Sequence, residues 1–198
     1  MSSLTEAQQA RLFLAARDSI DSWLISRKRK HFSEYAGEEP VLLAERASFV
    51  TLTIRGQLRG CVGSIIPYQP LIWDVSQNAF HAAFEDTRFV PLTLQEWKQT
   101  SIEISLLTKP ALIQAEDWNG LSSQLHPGVD GVIIQKGGYQ ATFLPQVWES
   151  LPDKDHFLEA LCQKAGLPRN AYKTQTNQMS FYLYQAEILN EITPPSLQ

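Results

Sequence analysis

Leu12, Ala15, Ala16, Ser19, Ile20, Trp23 and Leu24 recur at helical spacing, with Thr5 or Ser3 available as a cap. The pattern predicts a helix from about Glu6 to Lys28. His31 to Pro40 is polar, with Gly37 and Pro40 as breakers, and reads as a loop. Ala47 to Ile54 and Leu58 to Ile66 are rich in β-branched and aromatic residues, with Arg55-Gly56-Gln57 between them. Together they predict a β-hairpin. Pro70 suits a first helical position, and Leu71, Val75, Ala79, Ala82 and Ala83 form an apolar stripe ending near Glu85-Asp86. The small residues of that stripe suit close packing on a sheet. A short helix around Leu94 to Lys98 follows Pro91. From Ser101 to Thr108, Ile102, Ile104 and Leu106 alternate with Glu103 and Ser105, the pattern of a half-buried strand.

Past Pro110 the texture changes. Asp117 to Leu125 reads as a short helix and His126 to Gly131 as a turn. Gly131 to Lys136 and Tyr139 to Leu144 read as strands joined by Gly137-Gly138. A short helix starts in Leu144 to Trp148. Another, capped by Asp153 or Asp155, carries Phe157, Leu158, Leu161, Cys162 and Ala165 inside and stops at Gly166. The final strand is expected from about Met179 to Leu189, before a loose Pro194-Pro195 tail. This order of helices and hairpins is that of an α+β protein with mostly antiparallel sheets, not of a doubly wound parallel fold.

Composition narrows the picture. A chain of 198 residues, 43% of them hydrophobic, supports one domain or two small lobes. Seventeen basic against 21 acidic residues give a net charge of -4, which disfavours a nucleic-acid-binding module. The run Arg27 to Lys30 reads as solvated cations at a helix C-terminus. Two cysteines, Cys61 and Cys162, form neither a disulfide framework nor a CxxC pair. The polar start from Met1 to Ala10 has no apolar signal core, and no apolar run reaches the ~20 residues of a membrane span, so a cytoplasmic setting is expected.

Leu58-Arg59-Gly60-Cys61-Val62-Gly63 is the least ordinary strand. Glycine weakens a strand and often marks a bulge or the close approach of another backbone or a ligand, and two glycines flank Cys61 here. This segment resembles the LRGCIG signature of the AMMECR-domain family, with Val62 one methylene shorter. Further likenesses are Ser48 to Leu52, Asp86-Thr87-Arg88-Phe89, Gly128 to Gly131, Phe143 to Val147 and Lys164 to Leu167. They occur in the family's order along nearly the whole chain, and the chain is most similar to the microbial members called AmmeMemoRadiSam system protein A. The resemblance implies a single AMMECR-type domain over 1–198, of two unequal subdomains, each an antiparallel sheet with helices. The larger would hold about 1–110 plus 178–198 and the smaller about 111–177, with the signature strand facing the cleft between them. It also implies genomic company with a Memo-like protein and a radical S-adenosylmethionine enzyme. It supplies no reaction; the family is defined by fold and motif.

Cys61 is the candidate nucleophile, and a reactive thiolate needs a nearby cation or exposed backbone amides. Arg59 could serve as its anion-binding companion, provided that no bulge separates the two on the strand. Against this, free cysteines are commonly buried and inert. Leu58, Arg59, Gly60, Val62 and Gly63 would line the binding cleft, with Arg88, His81 and His126. His81 shares a helix face with Asn78 and Glu85, which reads as a solvated polar face. His126 opens a turn and reads as its decoration. Asp86 and Arg88 would pair locally, or Arg88 would bind an anion if buried beside the hairpin. No HxxxH or HExxH pair suggests a metal, no nucleotide-binding glycine motif suggests a cofactor, and no three-cysteine cluster suggests a radical enzyme. Two readings stand: a substrate-presenting or interaction component working with those partners, and an enzyme using Cys61 in the interlobe cleft.

Overall fold

A computed structural model describes residues 4–29, 35, 37 and 39–191. The expectations for Lys30, for His31 and for the Pro194-Pro195 tail lie outside them. Helix α1 (Glu6–Ser26) opens on a capping box in which the Thr5 hydroxyl accepts from Gln8 and the Gln8 side chain accepts from the Thr5 N–H. It stops two residues earlier than its pattern predicts, because Arg27 turns left-handed at φ 55. The turn α2 (Pro40–Leu43) leads to the hairpin of β1 (Ser48–Ile54) and β2 (Gln57–Gly63). Arg55 at φ 52 and Gly56 at φ 76 make its two-residue turn, the left-handed pair that matches strand twist. Then come α3 (Leu71–Phe84), the single turn α4 (Leu94–Trp97) and β3 (Thr100–Leu107).

The chain continues through β4 (Ala111–Ile113), α5 (Trp118–Gln124), β5 (Gly131–Lys136) and β6 (Tyr139–Phe143). After a 3-10 turn at Pro145–Glu149 follow α6 (Lys154–Lys164), α7 (Ala171–Thr174), β7 (Ser180–Tyr184) and β8 (Ala186–Asn190). Among the described residues two four-stranded sheets result, β2-β1-β3-β8 and β4-β7-β5-β6. The fold is α+β, and the pairings of β1 with β2 and β3, and of β7 with β4 and β5, are antiparallel.

The final strand differs from its expectation. One alternating run from Met179 to Leu189 is two strands, β7 in the second sheet and β8 in the first. The break falls at Gln185, whose N–H donates to the Thr108 hydroxyl at 2.8 Å and whose carbonyl accepts from the Thr108 N–H at 2.9 Å. Neither glycine nor proline marks the place. β4 has no counterpart in the pattern reading either, being three residues with Ala111 and Leu112 exposed.

The chain divides into two compact units, residues 1–107 with 187–198, and 108–186. The first unit's core joins Leu12, Ala15, Ala16 and Ile20 of α1 to Ile72, Val75, Ala79 and Ala82 of α3. Val50, Leu52, Ile102 and Ile104 of the sheet belong to the same core. Alternation therefore sends Phe49, Thr51 and Cys61 to the sheet's other face. The second unit's core centres on Phe157, Leu158, Leu161 and Cys162 of α6, packed with Val132, Ile134 and Phe181. Trp148 stacks on Phe157 with ring centroids 3.6 Å apart.

Candidate functional site: the signature strand and its clamp

β2 is an edge strand, so alternate backbone groups along it face away from β1 with no strand to receive them. At Cys61 two side chains take that place. The Asp86 carboxylate accepts the Cys61 N–H at 2.9 Å, and the Arg88 guanidinium donates to the Cys61 carbonyl at 3.2 Å. Asp86 and Arg88 also grip each other, Nη2 to Oδ2 at 2.7 Å and Nε to Oδ1 at 2.9 Å. The pair imitates one residue of a neighbouring strand, offering an acceptor and a donor in register. Local sequence makes it possible: α3 ends at Phe84, and the Phe89 N–H bonds the Asp86 carbonyl, turning the chain back along β2. Asp86 is buried and Arg88 exposed. Arg88's hydrogen bonds hold the Asp86 carboxyl far below the usual carboxylate range; burial opposes this, and the Cys61 N–H adds to it.

Arg59 faces elsewhere. Leu52 pairs with Gly60 and Thr53 with Leu58, so Arg59 is the extra residue of a β-bulge. Its side chain is buried, with Nε 3.0 Å from Glu96 Oε1 and Nη2 3.2 Å from Oε2 and 2.8 Å from the Val90 carbonyl. Nη1 is buried without a partner among the described residues. Glu96 is drawn down to about 2, chiefly by Arg59 and then by the Thr93 N–H. The bulge thus separates Arg59 from Cys61, the condition under which the sequence argument disallows their cooperation.

The glycines serve packing. A Cβ on Gly60 would stand 2.1 Å from the Ala82 carbonyl oxygen of α3, and one on Gly63 would stand 2.2 Å from the Phe49 ring and 2.5 Å from the Ser48 carbonyl oxygen. What approaches the strand is protein at both positions. Val62 packs on the first core, while Leu58 is 46% exposed near the hairpin tip. Cys61 itself is half-buried, and the Thr51 hydroxyl donates to its sulfur at 3.4 Å.

Each of the two candidate histidines has a carboxylate neighbour of its own. His81 Nε2 is 3.5 Å from Glu85 Oε2. Asn78 does not share a solvated face with it: Asn78 is buried and donates to the Ser48 carbonyl and to Asp74. His126 belongs to the second unit, exposed, with Nδ1 3.0 Å from Asp130 Oδ2. Asp130 also accepts the His126 N–H and is buried, closing the turn.

Sequence reasoning missed Asp74, fully buried on α3. Its carboxylate accepts from the Ser48 N–H (2.8 Å), the Ser48 hydroxyl (2.7 Å), the Ser64 hydroxyl (2.8 Å), Asn78 (2.9 Å) and Gln69 (3.1 Å). This network ties the start of β1 and the exit of β2 to the first turn of α3, whose N-cap offers no side chain. The signal was present: two polar residues at i and i+4 within an apolar helix face, one of them an acid in the first turn, where the helix dipole favours it. Among the described residues no group of three or more His, Cys, Asp or Glu is placed to hold a metal. No described helix is long and apolar enough to cross a membrane.

The family model described as AMMECR1 matches residues 13–189. A protein of Methanothermobacter thermautotrophicus is 36% identical over 156 residues, 76% of this chain and 78% of that protein. One of Pyrococcus furiosus is 32% identical over 198 aligned positions, 90% of this chain and 91% of its own. The crystal structure of an uncharacterized protein from Pyrococcus horikoshii superimposes with a TM-score of 0.84 at 31% identity, covering 96% of this chain and 94% of that one.

Proposed function

Since the chain belongs to the AMMECR1 family, we propose that it is a substrate-presenting or interaction component of a cytoplasmic modification pathway, working with a Memo-like protein and a radical S-adenosylmethionine enzyme. The observation that carries this reading is the immobilisation of the signature strand. Its Cys61 backbone is clamped by Asp86 and Arg88, its Arg59 is held by Glu96, and its glycines are seated against α3 and Phe49. Groups engaged in this way hold a surface in one geometry, and a preorganised surface loses less freedom on association. The choice of partners rests on the likeness of the ordered motifs to the microbial family members. Co-purification tests it: tagged protein is expected to retain at least one of the two partners in low salt, and Leu58→Glu, at an exposed position, is expected to weaken retention. Recovery of neither partner under conditions that preserve weak complexes rejects the reading.

One observation favours a second reading, an enzyme with Cys61 as nucleophile. Cys61 is half-buried, its sulfur receives a hydroxyl hydrogen bond, and the Arg88 cation sits on the carbonyl of the same residue. Cys61→Ser that keeps full biological activity ends that reading.

A further inference from the structure

The β5–β6 hairpin turns through Gly137 and Gly138, and these two glycines differ in what they require. Gly137 sits at φ +56, where a side chain is strained. Gly138 has neither a left-handed φ nor any atom within 4 Å of where a Cβ would stand. Packing accounts for Gly60, Gly63 and Gly131, each of whose missing Cβ would collide with protein. At Gly138 the absent side chain leaves open space, and Gly138 is among the residues that line a groove of about 630 Å³ in the second unit.

The groove's lining is of two kinds. Tyr139, Leu167 and Pro168 are apolar, and Tyr139 is more than half exposed. Lys136, Gln175 and Gln178 are polar, and no carboxylate is among the lining residues. Lys136 is half-buried, and its partner is the amide oxygen of Gln175, a neutral group. No acidic residue pairs with it among the described residues. Accepting from Lys136 leaves the Gln175 amide nitrogen free to act as a donor, and Gln178 brings a second amide. The N–H groups of Gly137 and Gly138 have no acceptor among the described residues. The groove is thus lined by several donors and a half-buried lysine, with no carboxylate among its lining residues. Such a lining favours an anion, and the Tyr139 ring offers a face to a flat apolar body.

We infer that this groove binds a small anionic molecule, a carboxylate or phosphate carried on a flat apolar body, held by Lys136 and the two glutamine amides against Tyr139, Leu167 and Pro168. The inference goes beyond the proposed function and rests on none of its residues, so either can fail alone. Phenyl phosphate, benzoate, inorganic phosphate and neutral benzyl alcohol serve as probes, followed by NMR through the amide signals of Gly137, Gly138, Gln175 and Gln178. Phenyl phosphate or benzoate is expected to move these signals saturably and to bind about tenfold more tightly than benzyl alcohol. Whichever anion binds better identifies the natural headgroup. Lys136→Gln is expected to bring the anions down to the level of the alcohol, and Gly138→Val, which fills the open space, to block every ring-bearing probe. Thermal unfolding of both variants confirms that they fold. Benzyl alcohol or inorganic phosphate matching the tighter of phenyl phosphate and benzoate would overturn the inference. So would an unchanged affinity in folded Lys136→Gln, or the absence of saturation at a Kd below about 10 mM.

Discussion

A single methyl group at Gly60 would have to share space with the Ala82 carbonyl oxygen, 2.1 Å from where it would stand. That oxygen belongs to the α3 backbone and cannot swing aside as a side chain can. Gly60→Ala is therefore expected to lower stability by about 1–3 kcal/mol, the usual cost of overpacking, read as a shifted urea midpoint with an unchanged slope. That glycine in a strand signals close approach was legible in the sequence. The identity of the neighbour was not, because Ala82 lies more than twenty residues along the chain and meets Gly60 only through the tertiary fold. The two cysteines can be separated chemically as well. Burial pushes the Cys162 thiol up, and Cys162 is fully enclosed in the second core, whereas Cys61 is half-buried. Native alkylation is expected to modify Cys61 first and leave Cys162 until the second unit opens; equal rates at the two would contradict these environments.

Among elements, the edge of β2 is held by charges whose affinity for protons is lowered on folding. Asp86 and Glu96 both lie below their ordinary range because Arg88 and Arg59 hold their charged forms. A depressed carboxyl contributes stability above its unfolded-state pKa, about 4, and loses it as pH falls toward the folded value, about 2 for Glu96. The hairpin is thus expected to lose stability between roughly pH 4 and pH 2. In Asp86→Asn and Glu96→Gln the gap between denaturation midpoints at neutral and acid pH should narrow; a gap as wide as in the parent protein would show that the clamps carry no such linkage. A second fastening ties α1 to the end of β8. Arg17 donates from Nε and Nη2 to Glu191, the latter at 2.6 Å, with both side chains nearly buried. Glu191→Ala is expected to cost about 3–5 kcal/mol, since it strands a buried guanidinium, and Arg17→Met with Glu191→Leu to recover most of that in a denaturant titration. Pattern reading finds α1, α3 and both hairpins because each is written in local periodicity. It finds the local Asp86–Arg88 pair, but not the bulge at Arg59 or the pair's grip on the Cys61 backbone, since register and edge position depend on which strands meet.

For the molecule as a whole, the two units carry separate cores, and core substitutions are expected to act on their own unit. Phe157→Ala removes a ring that stacks on Trp148 and is expected to destabilise the second unit by about 3–5 kcal/mol. Cys162 should then become alkylable at lower urea, while the rate at Cys61 stays as it was; a parallel rise at Cys61 would show that the units open together. By itself the sequence determined the types of the longer elements, the α+β class, the hairpin links at Arg55-Gly56-Gln57 and Gly137-Gly138, and the ordered motifs of the family, because these are properties of neighbours along the chain. Only the tertiary structure decided that the run from Met179 to Leu189 divides at Gln185 between two sheets, that Asp74 is wholly enclosed by five donors, and that protein occupies the space beside Gly60 and Gly63. Those outcomes depend on contacts between residues far apart in sequence, where the burial of each group is set by what folds onto it.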